Sequence, residues 1–195
     1  MGPPEIRSSE MGNVHVPVPC GEGKGDGVEL YLLRHGEAGT RVPAAARDLE
    51  RALTAAGKEE VEEIGEAMSE LGLEFDLVAT SPLKRARETA SLVNRALNRK
   101  GKVEEWRELS PEGSRDEFYR RLGKLRSASR VLCVGHEPYL TSAINDIAGR
   151  GSEKGAIRIV LKKAGLARLT VTGFTPRITG ELRWLLTPKQ IRRMA

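Results

Sequence analysis

Cysteine, histidine and the aromatics are all scarce in this chain, and each scarcity closes off a class of protein. Two cysteines occur in 195 residues, and their settings differ: Cys20 sits among glycines and prolines, Cys133 inside an apolar run. A disulfide framework or a cysteine metal site needs more of them at closer spacing, so a cytoplasmic location is expected. Aromatics make up 4% of the residues, so the core is expected to be aliphatic. No apolar run approaches the roughly 20 residues that span a bilayer. The first residues also lack the apolar stretch of a signal peptide.

What is present describes a globular protein, with 39% hydrophobic and 30% charged residues, enough to bury a substantial core. The net charge of +5 permits an anionic partner. Lysine and arginine are interspersed with glutamate along the whole chain, so a mixed surface is expected rather than a nucleic-acid stripe. Residues 1–27 concentrate Pro3, Pro4, Pro17, Pro19, Gly21, Gly23, Gly25 and Gly27 without helix or strand period. They are expected to form a flexible extension, with no role for His15 and with Met11 as an alternative start. Residues 28–195 are expected to form one domain.

Within that domain apolar runs alternate with amphipathic stretches. A first strand is expected over 28–33, and a helix over 55–71 with Val61, Ile64, Met68 and Leu71 on one face and Thr54 as its cap. A second strand is expected over 75–79. Ser81-Pro82 reads as a helix start, serine as cap and proline at the first position. A short strand near 102–106, a helix over 114–126, a buried strand over 131–134 and a helix bearing Leu140, Ile144 and Ile147 follow. The remainder switches to period two: Ile157, Ile159 and Leu161, then Ala167, Leu169 and Val171, then Leu182, Trp184 and Leu186. Turns are expected at Ala164-Gly165 and Thr179-Gly180, and a solvated end at Arg192-Arg193. Strand and helix alternation followed by hairpins indicates a three-layer α/β/α sandwich with a mainly parallel central sheet and antiparallel C-terminal edge strands.

The chemistry gathers at strand ends. Leu30-Tyr31-Leu32-Leu33 runs into Arg34-His35-Gly36-Glu37-Ala38, the second strand into Ser81-Pro82-Leu83-Lys84-Arg85, and the 131–134 strand into Gly135-His136-Glu137-Pro138. In a parallel sheet such ends share one edge, where ligands bind. Arg51 can join them from the polar loop after His35. Two histidines and three arginines around one concavity repel one another unless a dianion sits among them, and guanidinium forks match phosphoryl oxygens. A neutral imidazole there can attack phosphorus and carry the phosphoryl group, with Arg34, Arg51 and Arg85 stabilising the equatorial oxygens and His136 donating to them. No carboxylate cluster or Cys/His spacing suggests a metal, and no cofactor is expected.

These three motifs resemble those of the histidine phosphatase superfamily, the phosphoglycerate mutase-like fold. Arg34-His35-Gly36-Glu37-Ala38 is similar to the family's RHG signature, which implies that His35 is the phosphorylated nucleophile and Arg34 a phosphate ligand. Ser81 to Ala90, SPLKRARETA, resembles the second motif and implies that Arg85 binds phosphate; VGHEP implies the same for His136. Within the superfamily the chain looks most like the SixA-type phosphohistidine phosphatases. Asp48-Leu49-Glu50-Arg51-Ala52-Leu53-Thr54 with Gly57 is similar to their D-x-x-R-P-L-T-x-x-G, with Ala52 in place of the usual proline, and implies that Arg51 is the remaining phosphate ligand. The compact length and Trp184 to Pro188 resemble theirs too, whereas the N-terminal extension is a departure.

The leaving group separates the readings that stay open. An alkoxide needs a proton donor, worth about 10²–10⁴-fold, while a phosphoramidate departs as imidazole with less help. Relatives that cleave phosphomonoesters generally carry such an acid, and the SixA type resembles enzymes that omit it. Glu112 and Glu108 lie near the place where larger relatives keep the donor; charged residues are mostly exposed, so both are expected to be solvated loop carboxylates, with Glu112 the possible general acid if it points at the pocket. Glu37 and Glu137, beside the histidines, are lesser alternatives as donor and are expected to cap turns or orient neighbours. The expected function is a metal-independent phosphatase working through phosphohistidine on His35, with a phosphohistidine protein as partner and a monomeric state. The alternatives are a phosphatase of small phosphorylated metabolites with Glu112 as acid, and a catalytically silent module binding phosphate or RNA.

Overall fold

The computed structural model describes residues 27–40, 48–125, 129–149 and 158–195. The extension expected over 1–27, His15 and Cys20 among it, falls outside those residues except for Gly27. Six strands form one sheet: β1 (Val28–Arg34), β2 (Leu77–Thr80), β3 (Val103–Glu105), β4 (Arg130–Gly135), β5 (Leu166–Gly173) and β6 (Thr179–Leu186). Their order is β3-β2-β4-β1-β5-β6. The first four are parallel, and β5 and β6 are antiparallel additions at one edge. Among the described residues five helices cover the sheet: α1 (Ala55–Glu70), α2 (Lys84–Ala96), α3 (Arg115–Leu122), α4 (Tyr139–Ala148) and α5 (Pro188–Met194). None is long and apolar enough to cross a membrane.

The period-two pleat of β1 sorts its side chains between two cores. Leu30 and Leu32 pack with Phe118 and Leu122 of α3 and Leu140 and Ile144 of α4. Tyr31 and Leu33 pack on the other face with Val61, Ile64 and Met68 of α1, Ala86, Ala90 and Val93 of α2, and Ile191 of α5. Each such aliphatic side chain contributes about 1.5–3 kcal/mol on burial, so β1 is held from both sides. Three helices, α1, α2 and α5, lie on one face and two, α3 and α4, on the other; the right-handed crossover places α1, α2 and α3. The chain steps outward from β1 through α1 to β2 and through α2 to β3. It then returns through α3 to β4, which slots between β2 and β1, and a returning crossover of the same hand lies on the opposite face.

Helix ends follow the sequence signals. Thr54 Oγ1 accepts from Gly57 N at the start of α1, and Gly72, at φ +67°, lies just beyond its end. Ser114 caps α3, whose first turn carries Asp116 and Glu117 and whose last carries Arg120 and Arg121, matching the macrodipole.

In the C-terminal half three expectations are met only in part or not at all. Arg192 and Arg193 are exposed as expected, but they stand on a helix, α5, opened by a capping box between Thr187 and Gln190 with Pro188 in its first turn; Ile191 is buried and Arg192 reaches Glu63 at 2.7 Å. The T-P-x-Q signature carried that information, and the two arginines drew attention from it. The strand expected through Ile157 to Leu161 is absent from its described part, since 158–162 pair with no strand. Leu161 is buried, but its carbonyl accepts from the Arg34 side chain. The hairpin turn lies before Thr179-Gly180, over 174–178, and both residues already belong to β6. Pro176 there cannot donate to a ladder.

The loop after β1 is clamped to the start of α1. Thr54 N donates to Glu37 O (3.0 Å) and Gly39 N to Ala52 O (3.1 Å), around a bridge between Ala38 and Leu53. Gly57 makes this approach possible, because a Cβ there would stand 2.1 Å from Glu37 O. Glycine-to-alanine inside a helix ordinarily stabilises by about 0.5–1 kcal/mol; here the sign reverses. Gly57→Ala is expected to destabilise by about 1–3 kcal/mol, read as a lower urea midpoint, and an unchanged or higher midpoint would show that the loop yields freely.

Candidate active site

The pairing of β1 with β4 sets Arg34 opposite Gly135, and His35 N extends the ladder by donating to Gly135 O at 3.1 Å. On the far side of β4 the ladder continues likewise, Ser81 N donating to Val134 O at 3.0 Å. His35, His136 and Ser81 therefore follow three adjacent strands at one level. The two imidazole rings lie with centroids 5.0 Å apart, tilted by 55°, both buried.

His35 is oriented by the next residue's backbone. Its Nδ1 lies 2.7 Å from Gly36 O, and a carbonyl only accepts, so Nδ1 carries the hydrogen and Nε2 keeps its lone pair. Gly36 N in turn donates to Thr89 Oγ1 (3.1 Å), whose hydroxyl donates to Arg85 O (2.7 Å). The turn that carries His35 is thereby fastened to α2. Burial, the largest influence, pushes the His35 imidazole down to about 4; the Gly36 carbonyl opposes this, and Arg85, Arg34 and Arg51 reinforce it. His136 is pushed down to about 2 by burial, then by His35, Arg85, Arg51 and Arg34. Both rings are neutral at neutral pH.

Ser81 does not cap α2. The helix begins three residues later, at Lys84, and Ser81 Oγ stands 2.8 Å from His136 Nε2 while accepting from Leu83 N. Nδ1 of His136 is buried with no hydrogen-bond partner among the described residues.

The three expected arginines all converge electrostatically on both rings. Arg85, 3% exposed, sits in the first turn of α2 and donates through Nη1 to Asp48 O at 2.9 Å. Its Nη2 lies 3.2 Å from Asp48 Oδ2. Arg51 Nε donates to Asp48 Oδ1 (2.8 Å) and its Nη1 to Gly39 O (3.0 Å). Leu53 N donates to Glu88 Oε2 (2.7 Å), which docks this loop on α2. Arg34 Nη1 donates to Leu161 O (2.9 Å), and its Nε is buried without a partner among the described residues. Asp48 thus bridges two of the three arginines, a part that sequence reasoning did not assign to it; the signal was its place three residues before Arg51. Burial works against the charged form of Asp48, but Arg85 and Arg51 outweigh it and hold the carboxyl below its usual range.

The candidate acids separate. Glu108 is ion-paired to Arg121 at 3.2 Å, and exposed Glu37 to Lys163 at 3.0 Å. Glu112 is exposed in the loop that follows the short 3-10 turn Arg107–Leu109. Glu137 differs from all of these: its Oε2 accepts from Thr141 Oγ1 (2.6 Å), its Oε1 is buried without a partner among the described residues, and burial pushes its carboxyl up. Among the described residues no group of three or more His, Cys, Asp and Glu side chains stands ready for a metal ion.

The depressed histidines make stability pH-dependent. Below pH 6.5 the unfolded chain takes up protons on these two side chains that the folded one refuses, down to about pH 4 for His35 and about 2 for His136, so their contribution declines as pH falls. Each fully differential histidine contributes about 1.4 kcal/mol per pH unit. In phosphate-free buffer the urea midpoint is expected to drop steadily from pH 6.5 to 4.5, with a shallower slope in His136→Asn. A flat wild-type profile would mean that the rings titrate as in the unfolded chain.

Comparison with known proteins agrees with this constellation. Residues 30–111 match the model of the histidine phosphatase superfamily, branch 1, a span holding His35, Arg34, Arg51 and Arg85. An uncharacterised protein of Picosynechococcus is 35% identical over 146 residues, covering 73% of this chain and 84% of that one. The fold is shared with the protein histidine phosphatase SixA complexed with tungstate, at a TM-score of 0.71 and 22% identity over 83% of this chain and 97% of the other. It is shared too with a protein of Agrobacterium tumefaciens assigned as a phosphohistidine phosphatase SixA, at 0.65 and 24% over 82% and 97%. On these grounds the chain belongs to the histidine phosphatase superfamily and is a hydrolase of that family.

Proposed function

We propose that this chain removes the phosphoryl group from phosphohistidine in a protein substrate, through a phosphorylated His35. The observation that carries this reading is the His35 ring itself: neutral, with Nδ1 committed to Gly36 O, and set beside His136 among three guanidiniums. In the first step the Nε2 lone pair forms a bond to phosphorus as the substrate's P–N bond breaks, and the departing imidazole nitrogen takes a proton from solvent. In the second step water attacks phosphorus, the His35–phosphorus bond breaks, and His35 is regenerated with release of inorganic phosphate. Arg34, Arg51 and Arg85 bind the equatorial oxygens in both steps. His136 donates to the same oxygens from Nδ1; the Ser81 hydroxyl, which already accepts from Leu83 N, supplies its hydrogen to Nε2 and fixes that tautomer. SixA, the neighbour that shares the fold, binds tungstate, a tetrahedral oxyanion of phosphate shape.

The substrate class follows from the leaving group. Glu108 and Glu37, two of the carboxylates near the site, are held by cations, which suits a leaving imidazole that needs little acid assistance. One observation favours a second reading, hydrolysis of small phosphate esters: Glu137, with its raised carboxyl and unpartnered Oε1, has the properties of a proton donor, and Glu112 is the other donor to test. We place the reaction in the cytoplasm and assign it to a monomer of residues 28–195 that uses no metal.

Radiolabelled phosphate should be trapped on His35 when the reaction with a phosphohistidine protein is quenched in base, where phosphohistidine survives. His35→Ala should show neither label nor turnover. Label on another residue, or turnover in His35→Ala, would overturn the mechanism. Glu137→Gln and Glu112→Gln should leave phosphohistidine hydrolysis within about threefold of wild type; a loss of about 10²-fold or more on aliphatic esters in either variant, coupled with faster wild-type turnover of those esters, would establish the second reading.

Asp48→Asn keeps the shape of the bridge and removes its charge. Charge-assisted hydrogen bonds contribute about 1.5–3 kcal/mol, and their loss frees two guanidiniums to wander. The KM for p-nitrophenyl phosphate is expected to rise about tenfold or more by that magnitude, with little change in kcat. A lower KM would show instead that Asp48 competes with the phosphate.

A further inference from the structure

A cleft of about 500 Å³ opens on the same sheet edge as the histidines, and the chemistry above uses none of it but one wall. That wall is Arg34. The others are Lys162 and Lys163, in the turn before β5, and Thr187 with Pro188, Lys189 and Arg192 of α5; Glu60 of α1 is the one acidic lining residue among the described residues. Ala164 N donates to the carbonyls of Arg34 (3.1 Å) and His35 (3.3 Å), and Arg34 N donates to Gly165 O (3.1 Å). The lysine turn is therefore laced by backbone to the nucleophile's own strand end.

Five cations around one cleft are only partly compensated. Lys163 pairs with Glu37 at 3.0 Å, and Arg192 with Glu63 at 2.7 Å and Glu60 at 3.9 Å. Lys162 and Lys189, both exposed, have no carboxylate within ion-pair distance among the described residues. Buried Pro188 supplies an apolar floor. No aromatic side chain lines the cleft, so it lacks the platform on which nucleic-acid bases stack. Long-stemmed, solvated ammonium groups suit hydrated carboxylates that pass along a surface better than a second phosphate held in a closed cage.

We propose that this cleft binds acidic residues flanking the phosphorylated histidine of the protein substrate, so that Lys162 and Lys189 select an acidic segment while Arg34 reaches the phosphoryl group at its end. This rests on the phosphohistidine reading above and extends it to the sequence around the phosphorylated residue. Because such pairs are solvated, they act on encounter and selectivity and are screened by salt.

The test uses two synthetic peptides, each with one phosphohistidine, flanked by glutamates in one and by glycines in the other. At low salt the acidic peptide should have a kcat/KM about tenfold higher, in the range that electrostatic complementarity supplies. High salt and Lys162→Glu/Lys189→Glu should each abolish the preference. That variant should leave p-nitrophenyl phosphate turnover within twofold, since neither lysine touches the reacting atoms. Lys162→Gln/Lys189→Gln, with a smaller loss of preference, guards against a misfolded charge reversal. Equal turnover of both peptides, or a preference that survives charge reversal, would overturn the proposal. Fluorescence anisotropy of the unphosphorylated glutamate peptide reads docking without chemistry. If neither phosphopeptide turns over but this peptide binds wild type and not the variant, docking stands and the phosphohistidine reading falls. Tighter binding of an oligoribonucleotide than of the glutamate peptide would overturn the acidic-segment assignment.

Discussion

Everything at the site descends from the parallel pairing of two strands about a hundred residues apart in sequence. Arg34 opposite Gly135 is the last pair of the β1–β4 ladder, and the residue after each is a histidine. Since side chains alternate between faces, slipping this register by one residue would send one ring to the opposite side of the sheet and expose buried leucines. A slip by two would separate the rings by about 6.6 Å along the strand. Register is held because β1 and β4 are buried on both faces, so the aliphatic cores on either side specify the 5.0 Å ring separation. The packing that stabilises the fold is the same packing that assembles the chemistry.

Electrostatic balance is the second constraint. Three guanidiniums, two of them sharing the Asp48 carboxylate, leave net positive charge around the rings, which suits an anion such as a phosphoryl group. Asp48 engages Arg51 through Nε and Arg85 through Nη2, while backbone carbonyls take further donors from all three arginines. The cations are thereby kept in place before any ligand arrives, which lowers the ordering cost of binding. Such a cluster also raises the cost of protonating either imidazole, so one feature serves both anion capture and a neutral nucleophile.

The strand ends were legible because their signals are local: an apolar run followed at once by Arg34-His35-Gly36 or Gly135-His136 needs only the parallel-sheet rule to be placed. Arg85, one turn into a helix, and Thr54, a cap before an amphipathic run, were legible for the same reason. Asp48 was not, because its importance lies in joining its neighbour Arg51 to Arg85, which stands 37 residues beyond Asp48, and spacing along the chain does not report that. Ser81 was misjudged for a related reason. A serine before a proline suits a cap, but the neighbouring strand brings His136 within 2.8 Å and the hydroxyl goes there. The failed strand at 158–162 had the right alternation and the wrong surroundings, since β1 already had β5 along its free edge.

The same lacing links recognition to chemistry. The 161–165 turn touches β1 by four hydrogen bonds, the Arg34 side chain to Leu161, two donated by Ala164, and one from Arg34 N to Gly165. A segment gripped by Lys162 would therefore press on the backbone that sets the direction of His35. Arg34 feels both sides, its Nη1 committed to the turn and its charge acting on both imidazoles. In the proposed reaction a rigid turn of this kind would gain nothing for a small phosphate ester, whose oxygens the arginines would hold unaided. It gains most for a substrate whose reacting nitrogen is tethered to a chain, where fixing the flanking residues fixes the angle at which phosphorus meets Nε2.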